Sequence, residues 1–188
     1  MTPDDLIRRH LPAFQGVGQD LYAAHLITST GGNLSVWAGG HLVITRTGAM
    51  LHRLTAEDLC VLVPDAEAVR PAPSQDTPIH QGIYRAVRAE AVVHAHPRHA
   101  IALSLDREEI VPVDLEGTHH LGRVPVVDYR GGKDVVERVS AALRNCPVVV
   151  VRGHGSYARG ADLWQALQWT TVLEESAQVL LLREQVRG

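Results

Sequence analysis

Apolar positions change their spacing along the chain, and each change marks an element. Over residues 12–26, Phe14, Val17, Leu21 and Tyr22 recur at three- and four-residue intervals, the period of a helix with one buried face. Proline suits a first helical turn, so Pro12 predicts a start there and leaves residues 4–9 as a separate short helix. Beyond Thr28 the period drops to two. Leu34 and Val36, then Leu42 and Ile44, flank Ala38-Gly39-Gly40 and predict a β-hairpin. Thr55-Ala56-Glu57-Asp58 has the form of a capped helical turn, and residues 59–63 that of a short strand. Thr77-Pro78 opens another helix, capping hydroxyl first and proline next, with Ile79, Ile83, Tyr84 and Val87 as its apolar stripe. Residues 91–96 predict a strand and 97–105 a helix; further strands fall at 110–113, 124–127 and 148–152. Helices over 134–143 and 162–183 complete the set. Strands interleaved with helices, some joined by hairpins, predict an α/β protein with a mixed sheet covered by helices on both faces.

Composition narrows the classes. At 188 residues, with no repeat or linker, the chain is expected to form one domain over residues 1–188. Apolar residues at 45% and charged residues at 21% are ordinary for a globular protein and exclude a disordered chain. A net charge of -3 argues against a nucleic-acid binder, which needs a basic surface, and against a membrane-surface protein. The longest aliphatic run, Val148–Val151, is far shorter than the roughly 20 residues of a membrane span. Asp4 and Asp5 interrupt the N-terminal segment, so no signal peptide is expected there. Cys60 and Cys146 lie in separate apolar stretches without CxxC spacing, which predicts buried thiols in the reducing cytoplasm. Eleven histidines against one phenylalanine is the unusual number, and it directs attention to where histidines converge.

His94 and His96 end a predicted strand. Side chains at i and i+2 share a face, roughly 6.6 Å apart along the strand, so two imidazoles can lean onto one ion. Such a pair is also compatible with two unrelated polar residues at a strand end. His154 adds weight: it follows a buried-looking strand between Gly153 and Gly155, where glycine permits backbone conformations that other residues resist. Three neutral imidazoles with a fourth position open are the layout of a catalytic rather than a structural zinc site.

A second group is suited to an anion. Thr30-Gly31-Gly32-Asn33-Leu34-Ser35 and Thr45-Arg46-Thr47-Gly48 combine hydroxyls, an amide and backbone N–H groups, the make-up of phosphate nests and equally of ordinary turns. Pro73-Ser74-Gln75-Asp76 leads into a helix start, where the dipole and unpaired N–H groups favour an anion. No nucleotide-cradling glycine motif is present. Asp76 reads either as a helix cap or as the base that a metal-polarised carbonyl requires. His80 falls on the same helical turn as Asp76 and His99 follows His96 by three residues; both are candidate supports of the site. His10, His25, His41 and His52 are expected to be solvated, and residues 114–120 to form a polar loop carrying Glu116, His119 and His120.

Five of these segments occur together and in order: Thr30–Ser35, Ile44–Gly48, Pro73–Asp76 with His80 and Tyr84, Val93–His96, and Arg152–Gly155. In this the chain resembles the class II aldolase/adducin family, and within it the L-fuculose-phosphate aldolase branch. The resemblance runs over about residues 18–182. It implies a three-layer α/β/α fold around a mostly antiparallel sheet, in a homo-oligomer, usually a cyclic tetramer with sites between subunits. It implies Zn2+, or another divalent metal such as Mn2+ or Co2+, on His94, His96 and His154. Asn33, Thr47, Gly48, Ser74 and Gln75 take the phosphate-binding positions, and Asp76 that of the acidic proton-transfer residue. The expected reaction is reversible cleavage of a small ketose 1-phosphate to dihydroxyacetone phosphate and an aldehyde.

Three positions depart from the branch. Asp76 stands where its members typically carry glutamate, and Gln75 where serine is common. No tyrosine matches the catalytic one supplied across the interface, because the corresponding stretch reads Glu116-Gly117-Thr118-His119-His120; Glu116 and His120 are the candidates to replace it. Two other expectations share the fold: an epimerase, dehydratase or decarboxylase acting on a related sugar phosphate or acid at the same site, and an adducin-like association module without catalysis. The long predicted helices exclude an all-β barrel with an HxH site.

Overall fold

A computed structural model of the chain describes residues 2–62, 72–129 and 132–187. In chain order it consists of α1 (Pro3–Ala23), β1 (Asn33–Ala38), β2 (His41–Thr45), two 3-10 turns (Leu51–Arg53 and Ala56–Asp58), β3 (Leu59–Leu62), α2 (Thr77–Ala86), β4 (Ala91–Ala95), α3 (Arg98–Ser104), β5 (Glu109–Ile110), α4 (Leu115–His120), β6 (Val124–Val127), α5 (Gly132–Ala142), β7 (Val148–Val151), β8 (Gly155–Gly160) and α6 (Leu163–Arg187). Among the described residues the eight strands make one sheet, ordered β3-β2-β1-β4-β8-β7-β6-β5. Every neighbouring pair is antiparallel except β6 and β7. The three-layer α/β/α expectation holds. One face packs Val92, Val149 and Val151 against Ile79 and Ile83 of α2 and Val135 and Val139 of α5. The other packs Leu34, Val93, Val148 and Val150 against α1, α3 and α6. Among the described residues no helix is long and apolar enough to cross a membrane.

The hairpin turns at Gly39 and Gly40, both at positive φ, as the two-residue loop between twisted strands requires. The turn at Thr55 closes through a reciprocal capping box with Asp58. The strand read over 59–63 ends at Leu62, and Val63 lies outside the described residues.

Three expectations are corrected, and one strand falls outside the expected set. Residues 4–9 and 12–23 are one helix, not two: Thr2 caps it, with its hydroxyl accepting from the Asp5 N–H, and Pro3 occupies the first turn. Pro12 therefore sits in the helix interior, tolerated because Leu6, Phe14, Val17 and Leu21 bury one continuous stripe. Residues 155–160 form β8, a central strand with no clear period of its own. Pairing with β4 on one side and β7 on the other overrides its weak propensity. Residues 115–120 are helical rather than loop, because the Asp114 side chain accepts from the Gly117 N–H and caps them. The strand read at 110–113 contributes only Glu109–Ile110 to the sheet.

Pro12 is exposed and donates nothing to the Arg8 carbonyl, so Pro12→Ala restores a helical hydrogen bond without touching the core. The interior proline penalty of about 3 kcal/mol, less the entropy that proline removes from the unfolded chain, predicts a stabilisation of roughly 1–2 kcal/mol. A urea midpoint that rises accordingly checks it.

Candidate metal centre

The register of the sheet builds the site. Asn33 on β1 lies opposite His94 on β4, and His94 lies opposite Tyr157 on β8, so three polar side chains form a row across three strands on one face. His96 follows two residues after His94, just past the strand end. The β7–β8 hairpin closes through residues 152–154, with Gly153 at φ +66 and Val151 paired to Gly155, and its tip carries His154 to the same end of the sheet.

One nitrogen from each of His94, His96 and His154 lies within 4.8 Å of the other two. The His94 and His96 Nε2 atoms are 3.2 Å apart. Two nitrogens on one tetrahedral ion at ~2.0–2.1 Å would be about 3.3 Å apart, so this pair is already at ligand spacing. His94 Nδ1 is 2.9 Å from the Ser156 carbonyl. A carbonyl only accepts, so Nδ1 carries the proton and Nε2 presents its lone pair to the cluster. Burial pushes the His94 pKa down to about 3, and burial followed by the proximity of His154 lowers that of His96. Both rings are thus neutral near pH 7, as ligands must be. His94 is buried and His154 exposed, which leaves the cluster open on the His154 side. The set fits a single divalent ion with room for a guest.

Small residues make this packing possible. A Cβ on Gly155 would stand 2.4 Å from the Ala95 carbonyl and 2.8 Å from His96 Cδ2; one on Gly31 would stand 2.9 Å from His96 Nδ1. Tyr157 is 1% exposed and stacks on His94 with ring centroids 4.3 Å apart. Sequence reasoning missed Tyr157 because β8 was not recognised; the β4–β8 register is what places it opposite His94.

Asp76 precedes α2 but makes no capping bond with its side chain. Its carboxylate instead turns toward the cluster, Oδ2 lying 3.6 Å from His94 Nε2 and accepting at 2.8 Å from Asn33 Nδ2. Burial opposes its charged form. His94, the Asn33 hydrogen bond, His80 and Tyr157 outweigh that and hold its pKa below the usual carboxylate value. The Tyr157 hydroxyl is buried without a well-formed hydrogen bond, and burial together with the Asp76 charge keeps it protonated far beyond the ordinary phenol range. Asp76, Tyr157 and His154 line a cavity of about 450 Å³ with Gln75, Ile79 and Tyr129.

The remaining candidates divide. The 45–48 and 72–75 segments are joined by Thr47 N–H to the Ala72 carbonyl, Ser74 N–H to the Thr45 carbonyl and Thr47 Oγ1 to the Pro73 carbonyl. Thr47, Gly48, Ser74 and Gln75 thus lie on adjoining loops, with open space above Gly48 at φ +71. Asn33 is 6% exposed, with one amide hydrogen given to Asp76 and its oxygen taken by His80. At the start of α2 the amides of Asp76, Thr77 and Ile79 bond within the turn and residue 78 is proline, so these positions offer no unpaired donor to an anion. Glu116 and His120 pair with each other at 3.2 Å on α4, and the His120 ring rests on Trp169 of α6. Glu116 and His120 thus meet each other and α6, and neither is among the three histidines that cluster. His99 bonds Glu174 at 2.9 Å rather than supporting the cluster. Of the histidines expected to be solvated, His25 is exposed, whereas His10, His41 and His52 are half-buried and His52 stacks on Tyr22.

A three-layer sheet with this triad at one end defines a class. The chain matches the family model for the Class II Aldolase and Adducin N-terminal domain over residues 13–181, and it belongs to that family. Class II aldolases use a divalent metal, and the family's chemistry is that of aldolases and related lyases. Among its relatives, the crystal structure of L-fuculose-1-phosphate aldolase from Thermus thermophilus superposes with a TM-score of 0.89 at 40% identity, covering 94% of this chain and 95% of that one. The L-fuculose phosphate aldolase of Methanococcus maripaludis is 29% identical over 162 residues, 85% of this chain and 89% of its own. The methylthioribulose-1-phosphate dehydratase of Schizosaccharomyces japonicus is 26% identical over 200 residues, 88% of this chain and 83% of its own.

Two outcomes follow from the geometry. Gly155→Ala drives a methyl group into the His94–His96 pair and is expected to lower metal occupancy by roughly tenfold or more with a loss of about 1–3 kcal/mol in stability, read by elemental analysis and urea denaturation. His80 supplies a pH dependence. Burial lowers its pKa from 6.5 to about 4, with Asp76 partly opposing. The unfolded chain therefore binds a proton below 6.5 that the folded chain refuses until about 4, so this contribution is intact above 6.5 and declines as pH falls toward 4. His80→Gln is expected to flatten that decline, as measured by urea midpoints at about pH 7 and about pH 5.

Proposed function

We propose that this chain is a cytoplasmic, metal-dependent aldolase that reversibly cleaves a small ketose 1-phosphate, similar to L-fuculose 1-phosphate, into dihydroxyacetone phosphate and an aldehyde. The observation that carries the reading is the open triad of His94, His96 and His154 with an uncapped carboxylate, Asp76, 3.6 Å from His94. A divalent ion there, zinc or another of similar preference, would supply Lewis-acid polarisation of the substrate carbonyl. As the C3–C4 bond breaks, the C4 hydroxyl loses its proton to leave the aldehyde. Asp76, a carboxylate at rest, takes up a proton and delivers it to C3, and in synthesis both transfers reverse. Thr47, Gly48, Ser74 and Gln75 hold the phosphate, with the second amide hydrogen of Asn33. Their contribution is orientation, which can supply several kcal/mol of the barrier. Glu116 and His120, which pair with each other on α4, are assigned to the site of a neighbouring subunit in a homo-oligomer, a tetramer by the family resemblance.

Metal-replete protein is expected to release dihydroxyacetone phosphate from at least one member of a panel of ketose 1-phosphates, detected by coupled reduction; no release from any member overturns the reading. Asp76→Asn is expected to lower kcat by roughly 10²–10⁴-fold while metal content stays unchanged.

The dehydratase relative supports a second reading, loss of water from a related sugar phosphate at the same site. NMR of the products separates the two, because dehydration leaves the carbon skeleton whole and aldol cleavage does not.

A further inference from the structure

Beneath Asp76 runs a chain of four side chains, Asn33, His80, Ser35 and Tyr84, of which the first three are buried and Tyr84 half-buried. Asn33 bridges Asp76 Oδ2 at 2.8 Å and His80 Nε2 at 2.6 Å. His80 Nδ1 lies 2.7 Å from Ser35 Oγ, which lies 2.8 Å from Tyr84 Oη. His80 and Ser35 are fully buried, and Asn33 is nearly so.

Each bond in this chain dictates the direction of the next. Asp76 as a carboxylate only accepts, so the Asn33 amide must present its NH2 to Asp76 and its oxygen to His80. That oxygen only accepts, so His80 carries its proton on Nε2 and Nδ1 is an acceptor. Ser35 must then donate to Nδ1, and its Oγ is left to accept from the Tyr84 hydroxyl, which also lies 3.1 Å from the Ser35 carbonyl oxygen. A histidine in the other tautomer would set two acceptors against each other at Asn33, and the amide would rotate, turning its oxygen toward Asp76. Little in this arrangement is needed for packing alone: the same space filled by apolar groups would avoid burying Asn33, Ser35 and His80.

We infer that His80 is a positioning residue. Through the Asn33 amide it holds Asp76 Oδ2 beside His94, keeping the carboxylate aimed at the metal centre instead of folding back to cap α2. The inference rests on Asp76 acting as the proton-transfer group, and it assigns Asn33 chiefly to Asp76 rather than to phosphate.

The test compares wild type, His80→Leu, His80→Gln and Asn33→Ala as metal-loaded proteins, with metal content, kcat and KM measured on the ketose 1-phosphate that wild type cleaves. His80→Leu is expected to bind metal fully and keep KM within about twofold, while kcat falls roughly 10- to 100-fold. Asn33→Ala should lower kcat to the same extent. His80→Gln, whose amide can donate to Asn33 and accept from Ser35, should recover most of it. An unchanged kcat in folded His80→Leu, or a loss that His80→Gln does not rescue, overturns the inference. If His80→Leu does not fold, Ser35→Ala takes its place, with a smaller kcat loss expected and an unchanged kcat overturning it. A readout independent of turnover is the side-chain amide pair of Asn33 in a 15N-edited NMR spectrum. It should exchange slowly in wild type and His80→Gln and rapidly in His80→Leu; equal exchange in all three overturns the inference. If wild type cleaves no substrate, the aldolase reading falls, and the exchange comparison alone decides whether His80 positions the Asn33 amide.

Discussion

The site depends on strand register: Asn33, His94 and Tyr157 are neighbours on β1, β4 and β8 and therefore share a face and an end of the sheet. A one-residue slip of any of these strands would send its side chain to the opposite face, under α1 and α6. Register is held by burial on both faces, since Val92 and Val93 on β4 and Val149 and Val150 on β7 are fully buried against different helix layers. The apolar core thus specifies where the polar row falls. The metal ligands then need only two additions: His96 one step beyond β4, and the hairpin tip at His154.

Electrostatics and burial divide the labour around that row. The buried rings are kept neutral by desolvation and directed by their hydrogen-bond partners, His94 by the Ser156 carbonyl and His80 by Asn33 and Ser35. The one carboxylate among them stays charged because donors and histidines surround it. A neutral, lone-pair-bearing cluster next to an ionised acid is the combination that a Lewis-acid ion and a proton-transfer group require of their surroundings. The glycines at 31 and 155 are part of the same device, since a side chain at either would occupy the space the imidazoles fill.

Much of the fold was legible along the chain. The hairpin at Gly39-Gly40, the Thr55 turn, the four-valine strand and the long C-terminal helix all carry local signals strong enough to survive packing. Pro12 misled because a start signal is also tolerable inside a helix whose stripe is buried on both sides of it. β8 was illegible for the opposite reason: Gly155-Ser156-Tyr157-Ala158-Arg159-Gly160 has little preference of its own, and its conformation comes from the two strands that flank it. Tyr157 was lost with it.

Taken alone, the amino-acid sequence determined the α/β class and singled out the histidines at 94, 96 and 154 as one set, because residue type and local spacing carry that much. Asp76 stood evenly between helix cap and base, and only the family resemblance made it the acid. Only the tertiary structure decided what each group is turned toward. Asp76 leaves its helix unguarded to face His94, Asn33 spends its amide on Asp76, and His120 rests on Trp169 of α6 while pairing with Glu116. Hydrogen-bond direction and strand register link residues dozens of positions apart, and no local pattern records which partner will be present.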